Sequence, residues 1–209
     1  MKRGVFITFE GIDGCGKSTQ LKLAAQKLTQ ESKPVMVTRE PGGTAIAEKI
    51  REILIAPQNS EMANECELLL YLAARAQHVR EKILPALEDG LIVLCDRFQE
   101  ATFSYQGFGR NISLDFLKKV NSFATAGLVP DCTFIFDISV DISNDRMQKM
   151  NKVKDRLELN DRAFYERISA GYRYLAESEP QRIFLLEGSK PIEQLSEQVC
   201  CRIRDFLKD

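Results

Sequence analysis

"FEGIDGCGKSTQ", Phe9 to Gln20, follows a short apolar run and sets Gly11, Gly16, Lys17 and Ser18 at the spacing G-x-x-x-x-G-K-[ST]. Between a strand and a helix that opens near Lys17, this spacing makes a phosphate-binding loop. The glycines let backbone amides turn inward on phosphate, and the helix N-terminus adds its positive end. The lysine reaches the β and γ oxygens and the serine hydroxyl can ligate magnesium. The ATP cradle is therefore expected over Gly11, Ile12, Asp13, Gly14, Cys15, Gly16, Lys17, Ser18 and Thr19. Asp13 is out of place there, because a carboxylate beside phosphate is costly without a partner of its own. Cys15, set among amides at a helix start, is expected to favour its thiolate.

Outward from the loop, "VFITFE" (5–10), "PVMVT" (34–38), "LIVLCD" (91–96), "CTFIFDI" (132–138) and "RIFLLE" (182–187) are β-branched or aromatic runs of the kind that form buried parallel strands. Helical stretches separate them. In the last, Ile192, Leu195, Val199, Ile203 and Phe206 recur on one face after Pro191. Alternating strands and helices predict right-handed βαβ units, hence an α/β three-layer sandwich around a five-stranded parallel sheet with the P-loop after its first strand. "LIVLCD" brings Asp96 to a strand end, where such an acid joins Ser18 in a magnesium shell.

At 209 residues the chain fits one domain, and no linker or repeat divides 1–209. A net charge of -1, with 44% hydrophobic and 28% charged residues, offers no broad basic face for nucleic acid or an anionic membrane. No stretch is long and apolar enough to span a bilayer, and the run after Met1 leads into the glycine loop rather than a cleavage site. The six cysteines form no C-x-x-C pair and read as reduced thiols of a cytoplasmic protein.

Six motifs in order, "FEGIDGCGKST" (9–19), "TREPGGT" (38–44), "YLAARAQ" (71–77), "DRFQEATFSYQG" (96–107), "PDCTFIFDI" (130–138) and "DRLE" (155–158), resemble the bacterial thymidylate kinases over nearly the whole chain. The resemblance implies transfer of the γ-phosphoryl group of ATP to dTMP with Mg2+, in a homodimer. It implies that Asp13 accepts from the sugar 3′-hydroxyl and that Arg97 holds the acceptor phosphate with help from Arg51. By the same likeness Tyr71 stacks on thymine, Arg75 reaches its O4, Thr102 and Gln106 meet the base edge, Tyr105 crowds the 2′ position, and Glu40-Pro41 forms a turn with a cis peptide. Phe98, Ala101, Ser104 and Tyr71 depart from the commonest residues of the family at their positions. Ala101 in particular lacks a hydroxyl that serine would bring to the base.

Some members of the resembled family carry a catalytic arginine in this loop, and there is none here between Gly11 and Lys17, so the resemblance implies that some transition-state charge comes from elsewhere. The basic stretch 145–162 resembles a mobile lid. Arg156 is the first candidate for that cation, ahead of Lys152 and Lys154. Arg146 matches an adenine-stacking residue, and Asp155 and Glu158 order the lid or magnesium waters. The alternatives are another P-loop small-molecule or nucleotide kinase and a GTPase-type switch, but the N-K-x-D of a GTPase is only approximated by "NKVKD" (151–155), where Asp155 comes one residue late. The apolar "CELLLYLAA" (66–74) is a candidate dimer helix that a buried core helix would match equally.

Overall fold

The computed structural model describes residues 3–149, 156–157 and 160–208. All five expected strands are present, each within a residue or two of its sequence run: β1 (Phe6–Glu10), β2 (Val35–Arg39), β3 (Ile92–Asp96), β4 (Cys132–Asp137) and β5 (Ile183–Glu187). They pair in parallel in the order β2-β3-β1-β4-β5. The helices are α1 (Lys17–Gln30), α2 (Ala45–Ile55), α3 (Asn64–His78), α4 (Leu84–Glu88), α5 (Gln99–Thr102), α6 (Leu114–Thr125), α7 (Val140–Lys149), α8 (Arg162–Ser178) and α9 (Ile192–Lys208). A π-helical turn, Val79–Ile83, runs α3 into α4, and a second, Phe103–Gly109, extends α5.

Period-two alternation sorts the central strands between two covered faces. Phe6 of β1 joins Val93 and Cys95 of β3 against Leu87 of α4, whereas Ile7, Phe9 and Leu94 point the other way with Leu21, Ala24 and Leu28 of α1. Central β1 is buried at every position, while edge strand β5 alternates. That difference is what a sheet covered on both faces imposes.

Register brings the strand ends that matter to one rim. Asp96 lies opposite Phe9 on one side and Arg39 on the other. Gly11 leaves β1 at φ 131, and a Cβ there would come within 2.7 Å of the Phe136 carbonyl oxygen. Only glycine lets the chain turn into the loop so close to β4.

Candidate active site

The loop after β1 and the turns after β2 and β3 meet above that rim. Lys17, at the start of α1, is buried, and its Nζ lies 3.2 Å from Asp13 Oδ1. The same oxygen accepts from Arg97 Nη2 at 2.7 Å. The partner that the misplaced acid required is therefore a pair of cations. Burial alone would raise the Asp13 carboxyl, but Arg97 and Lys17 hold it well below the usual carboxylate range. The Ser18 hydroxyl donates to Asp96 Oδ2. These are two hard oxygen ligands side by side, a fit for a cation that takes only one or two protein ligands and completes its shell with phosphate and water.

Arg97 adopts φ 70, a left-handed conformation that costs a non-glycine residue on the order of 1 kcal/mol. Glu10, the last residue of β1, holds that turn: its Oε1 accepts from the amide of Phe98 at 2.6 Å, and its Oε2 accepts from Tyr172 of α8 at 3.0 Å. The Tyr172 oxygen in turn accepts from Arg97 Nη1 at 3.3 Å. Burial, reinforced by nearby Glu100, pushes the Glu10 carboxyl up to about 8 despite Arg97 and its two donors. Tyr105 OH lies 3.2 Å from Arg97 Nη2, and its ring centroid 5.1 Å from the guanidinium carbon.

Beside Arg97 opens a cavity lined by every residue expected at the acceptor: Asp13, Glu40, Pro41, Arg51, Tyr71, Arg75, Arg97, Thr102, Tyr105 and Gln106. Ile55, Ala101 and Leu157 complete its wall. The Glu40–Pro41 peptide is cis, and the Pro41 carbonyl accepts from Arg51 at 3.0 Å and Arg39 at 2.8 Å. Arg75 is fixed by Glu40 Oε2 at 2.7 Å, Thr102 Oγ1 and Asn121 Oδ1 at 2.8 Å each, and the Phe98 carbonyl at 2.9 Å. Four of its five N–H groups are thus engaged, which leaves one for the cavity. Glu40 also accepts from His78 Nδ1 at 3.0 Å, and His78 Nε2 shares a 2.7 Å hydrogen bond with the Thr38 hydroxyl. Burial opposes the Glu40 charge, but Arg75 and His78 keep its carboxyl below the ordinary value. Phe98 packs edge-on against Phe6 at 4.9 Å under the Arg75 guanidinium, a role that needs no hydroxyl.

Three expectations meet a different arrangement. Cys15 is buried and burial pushes its thiol up, so the amides and Lys17 do not make it a thiolate. Arg156 makes no contact with the loop: its Nη2 lies 2.6 Å from Glu67 Oε2, its Nε donates to the Leu54 carbonyl, and its amide to that of Ile55. A carboxylate as buried as Glu67 demands a cation, and Arg156 together with Arg110 supplies it. The transition-state cation expected from Arg156 is therefore not assembled in this arrangement. Arg146 bridges the carbonyls of Gly14 and Gly188 at 3.0 and 3.3 Å, a brace between the loop and the turn after β5. Thr19 follows Ser18 on α1, exposed. Lys152, Lys154, Asp155 and Glu158 lie outside the described residues.

Glu10, Glu67, His78, Arg110, Asn121 and Tyr172 support this site without having been singled out for it. Their sequence signal was faint: an acid closing an apolar strand at Glu10, and a lone histidine at 78.

The sequence model of the family described as Thymidylate kinase matches residues 9–199. A protein named Thymidylate kinase from an Exiguobacterium species is 46% identical over 196 residues, 94% of this chain and 92% of its own. One of the same name from Pelotomaculum thermopropionicum is 46% identical over 188 residues, 90% and 87% of the two chains. Another, from Lactobacillus helveticus, is 43% identical over 209 residues, 99% of each.

Proposed function

The chain belongs to the thymidylate kinase family, and on that premise we propose that the cavity beside Arg97 holds dTMP while the Gly11–Thr19 loop holds ATP. The reaction is phosphorylation of dTMP to dTDP with ATP as donor. The observation that carries the site assignment is the single Asp13 oxygen joining Lys17 of the ATP loop to Arg97 of the acceptor cavity. One carboxylate thereby sets the spacing of the two cations that bracket the transferred group, and positioning is most of what phosphoryl transfer requires.

Lys17 neutralises the β and γ oxygens, and the planar fork of Arg97, steadied by Tyr172 and Tyr105, takes two oxygens of the acceptor phosphate. Arg51 stands beside it on Pro41. Tyr71 and Arg75 present a ring and one N–H to the base, with Thr102 and Gln106 at its edge, and Tyr105 faces the sugar. Asp13 meets the 3′-hydroxyl as it gives up part of its hold on Arg97, and Arg146 borders the adenine. Ser18 and Asp96 would hold Mg2+, which when bound would supply charge screening for the donor phosphates. The lid, about 145–162 within a single kinase domain 1–209, brings Lys152, Lys154, Asp155 and Glu158 over ATP. Arg156 joins them only by leaving Glu67.

The protein acts as a cytoplasmic homodimer. Its cysteines among the described residues are all free thiols, and none of the helices described is long and apolar enough to cross a membrane. Phe123, 91% exposed, and Phe116 on α6, Leu69 on α3 and Ile53 on α2 are exposed apolar side chains on helices that pack side by side, and a second copy would cover them. Magnesium-ATP offered with dTMP, dUMP, UMP, CMP, AMP and shikimate, with ADP release followed, tests the acceptor assignment. dTMP is expected to be fastest and dUMP slower but detectable, since a missing methyl is worth about 1–3 kcal/mol. Fastest turnover of AMP or shikimate, or GTP hydrolysis exceeding every transfer, would overturn it.

A further inference from the structure

Glu67 sits on α3, 1% exposed, and does not line the acceptor cavity. Everything that reaches its carboxylate among the described residues is a donor. Arg156 Nη2 lies at 2.6 Å and Arg110 Nη2 at 3.3 Å from Oε2, while Oε1 accepts from Gln106 Nε2 at 2.9 Å and faces Arg110 Nε at 3.4 Å. Burial works against the charge of Glu67, but Gln106, Arg110 and Arg156 together hold its carboxyl below the usual value. An ionised carboxylate accepts and cannot donate. The Gln106 amide therefore has one allowed orientation: turning it over would set its carbonyl oxygen against the carboxylate in a buried pocket.

With Nε2 spent on Glu67, the atom that Gln106 has left for the cavity is Oε1, an acceptor. Arg75 is fixed in the opposite sense, since a guanidinium only donates and four of its N–H groups are already engaged. Between them Arg75 and Gln106 thus offer one donor and one acceptor to the base. That pair matches the imide edge of thymine or uracil, a carbonyl oxygen at position 4 beside an N3–H. Cytosine presents the reverse, an amino group beside a bare N3.

We propose that Glu67 is a specificity-determining positioning residue: by locking the Gln106 amide it makes the site accept a pyrimidine with a protonated N3 and reject cytosine. The inference rests on the dTMP assignment above and deepens it. Glu67 acts entirely through Gln106 and is blind to the 5-methyl group, so it separates dTMP from dCMP but not dTMP from dUMP.

Glu67→Gln preserves shape but lets residue 67 either donate or accept, which frees the Gln106 amide to turn. The ratio of the dCMP inhibition constant to the dTMP KM is expected to fall by about tenfold in this variant, with the dUMP-to-dTMP ratio of kcat/KM unchanged. An unchanged dCMP ratio would sink the proposal. So would a dUMP ratio that moves with it, because a general loosening of the fold shifts both. Should Glu67→Gln fail to fold, Gln106→Met removes the acceptor while leaving Glu67 its two arginines, and must lower dCMP discrimination to a similar extent. Discrimination retained in Gln106→Met overturns the proposal equally. A wild-type protein that turns over dCMP as fast as dTMP would instead remove the acceptor assignment itself, and this inference with it.

Discussion

Asp13 answers to two cations through one oxygen, and under the proposed assignment each serves a different substrate. Asp13→Asn keeps the shape but removes the charge that compensates Lys17 and Arg97. Losing one member of such a pair is expected to lower kcat/KM for dTMP by about 10²-fold or more, with the KM for ATP moving far less. Steady-state kinetics with each substrate varied checks this, and a collapse of ATP binding with dTMP constants intact would reduce Asp13 to a loop support. Glu10 makes a second prediction at this scale. Its carboxyl titrates near 8 in the folded protein against 4.5 as a free side chain. Between those values the folded state holds a proton that the unfolded state has released, so Glu10 costs stability progressively as pH rises from about 5 to 8. Glu10→Gln should flatten that decline by at most about 1.4 kcal/mol per pH unit. Denaturant unfolding at several pH values gives the slopes, and parallel curves for the two proteins would rule the effect out.

At the scale of elements, α3 carries Glu67, Tyr71, Arg75 and His78 on spacings of three and four, one helix face from which Tyr71 and Arg75 line the cavity. Arg75→Lys keeps the charge but has three donors for Glu40, Thr102, Asn121 and the Phe98 carbonyl. A fall of about 10²-fold in kcat/KM for dTMP together with a lowered Tm is expected, because at least one buried acceptor loses its partner. A variant with native Tm and native dTMP kinetics would contradict the network. The strands and the placement of their terminal residues were legible in the sequence because burial on both faces leaves unbroken apolar runs. The loop was legible because its chemistry is local, Gly11 through Thr19. What joins α3 to the rest was not. Glu67 finds Arg156 89 positions away and Glu10 finds Tyr172 162 away, and hydrophobic period names a face without naming its partner. The same gap hid the partner of Arg156, whose positive charge in a basic stretch said nothing of the buried acid it meets.

For the whole molecule, the contiguity of α2 with α3 and of α3 with α6 bears on self-association. Phe123→Arg should convert the protein to a monomer, read as halved mass by light scattering at micromolar concentration. A wild-type protein that already scatters as a monomer would end the dimer proposal. A different consequence follows from the parallel sheet. Because every strand runs the same way, each described residue so far named in the reaction stands at one rim, after Glu10, Arg39 or Asp96, or on the helices that meet there. The opposite rim, which includes the fully exposed stretch 31–34 between α1 and β2, carries none of them. The molecule thus has a working end and a handle. A peptide tag or reporter spliced after Ser32 should leave turnover of dTMP near native, whereas the same insert after Gly42 should abolish it. A library of random insertions scored for complementation should be permissive at one pole and silent at the other, and losses spread evenly over both would show that the handle is not free to be held.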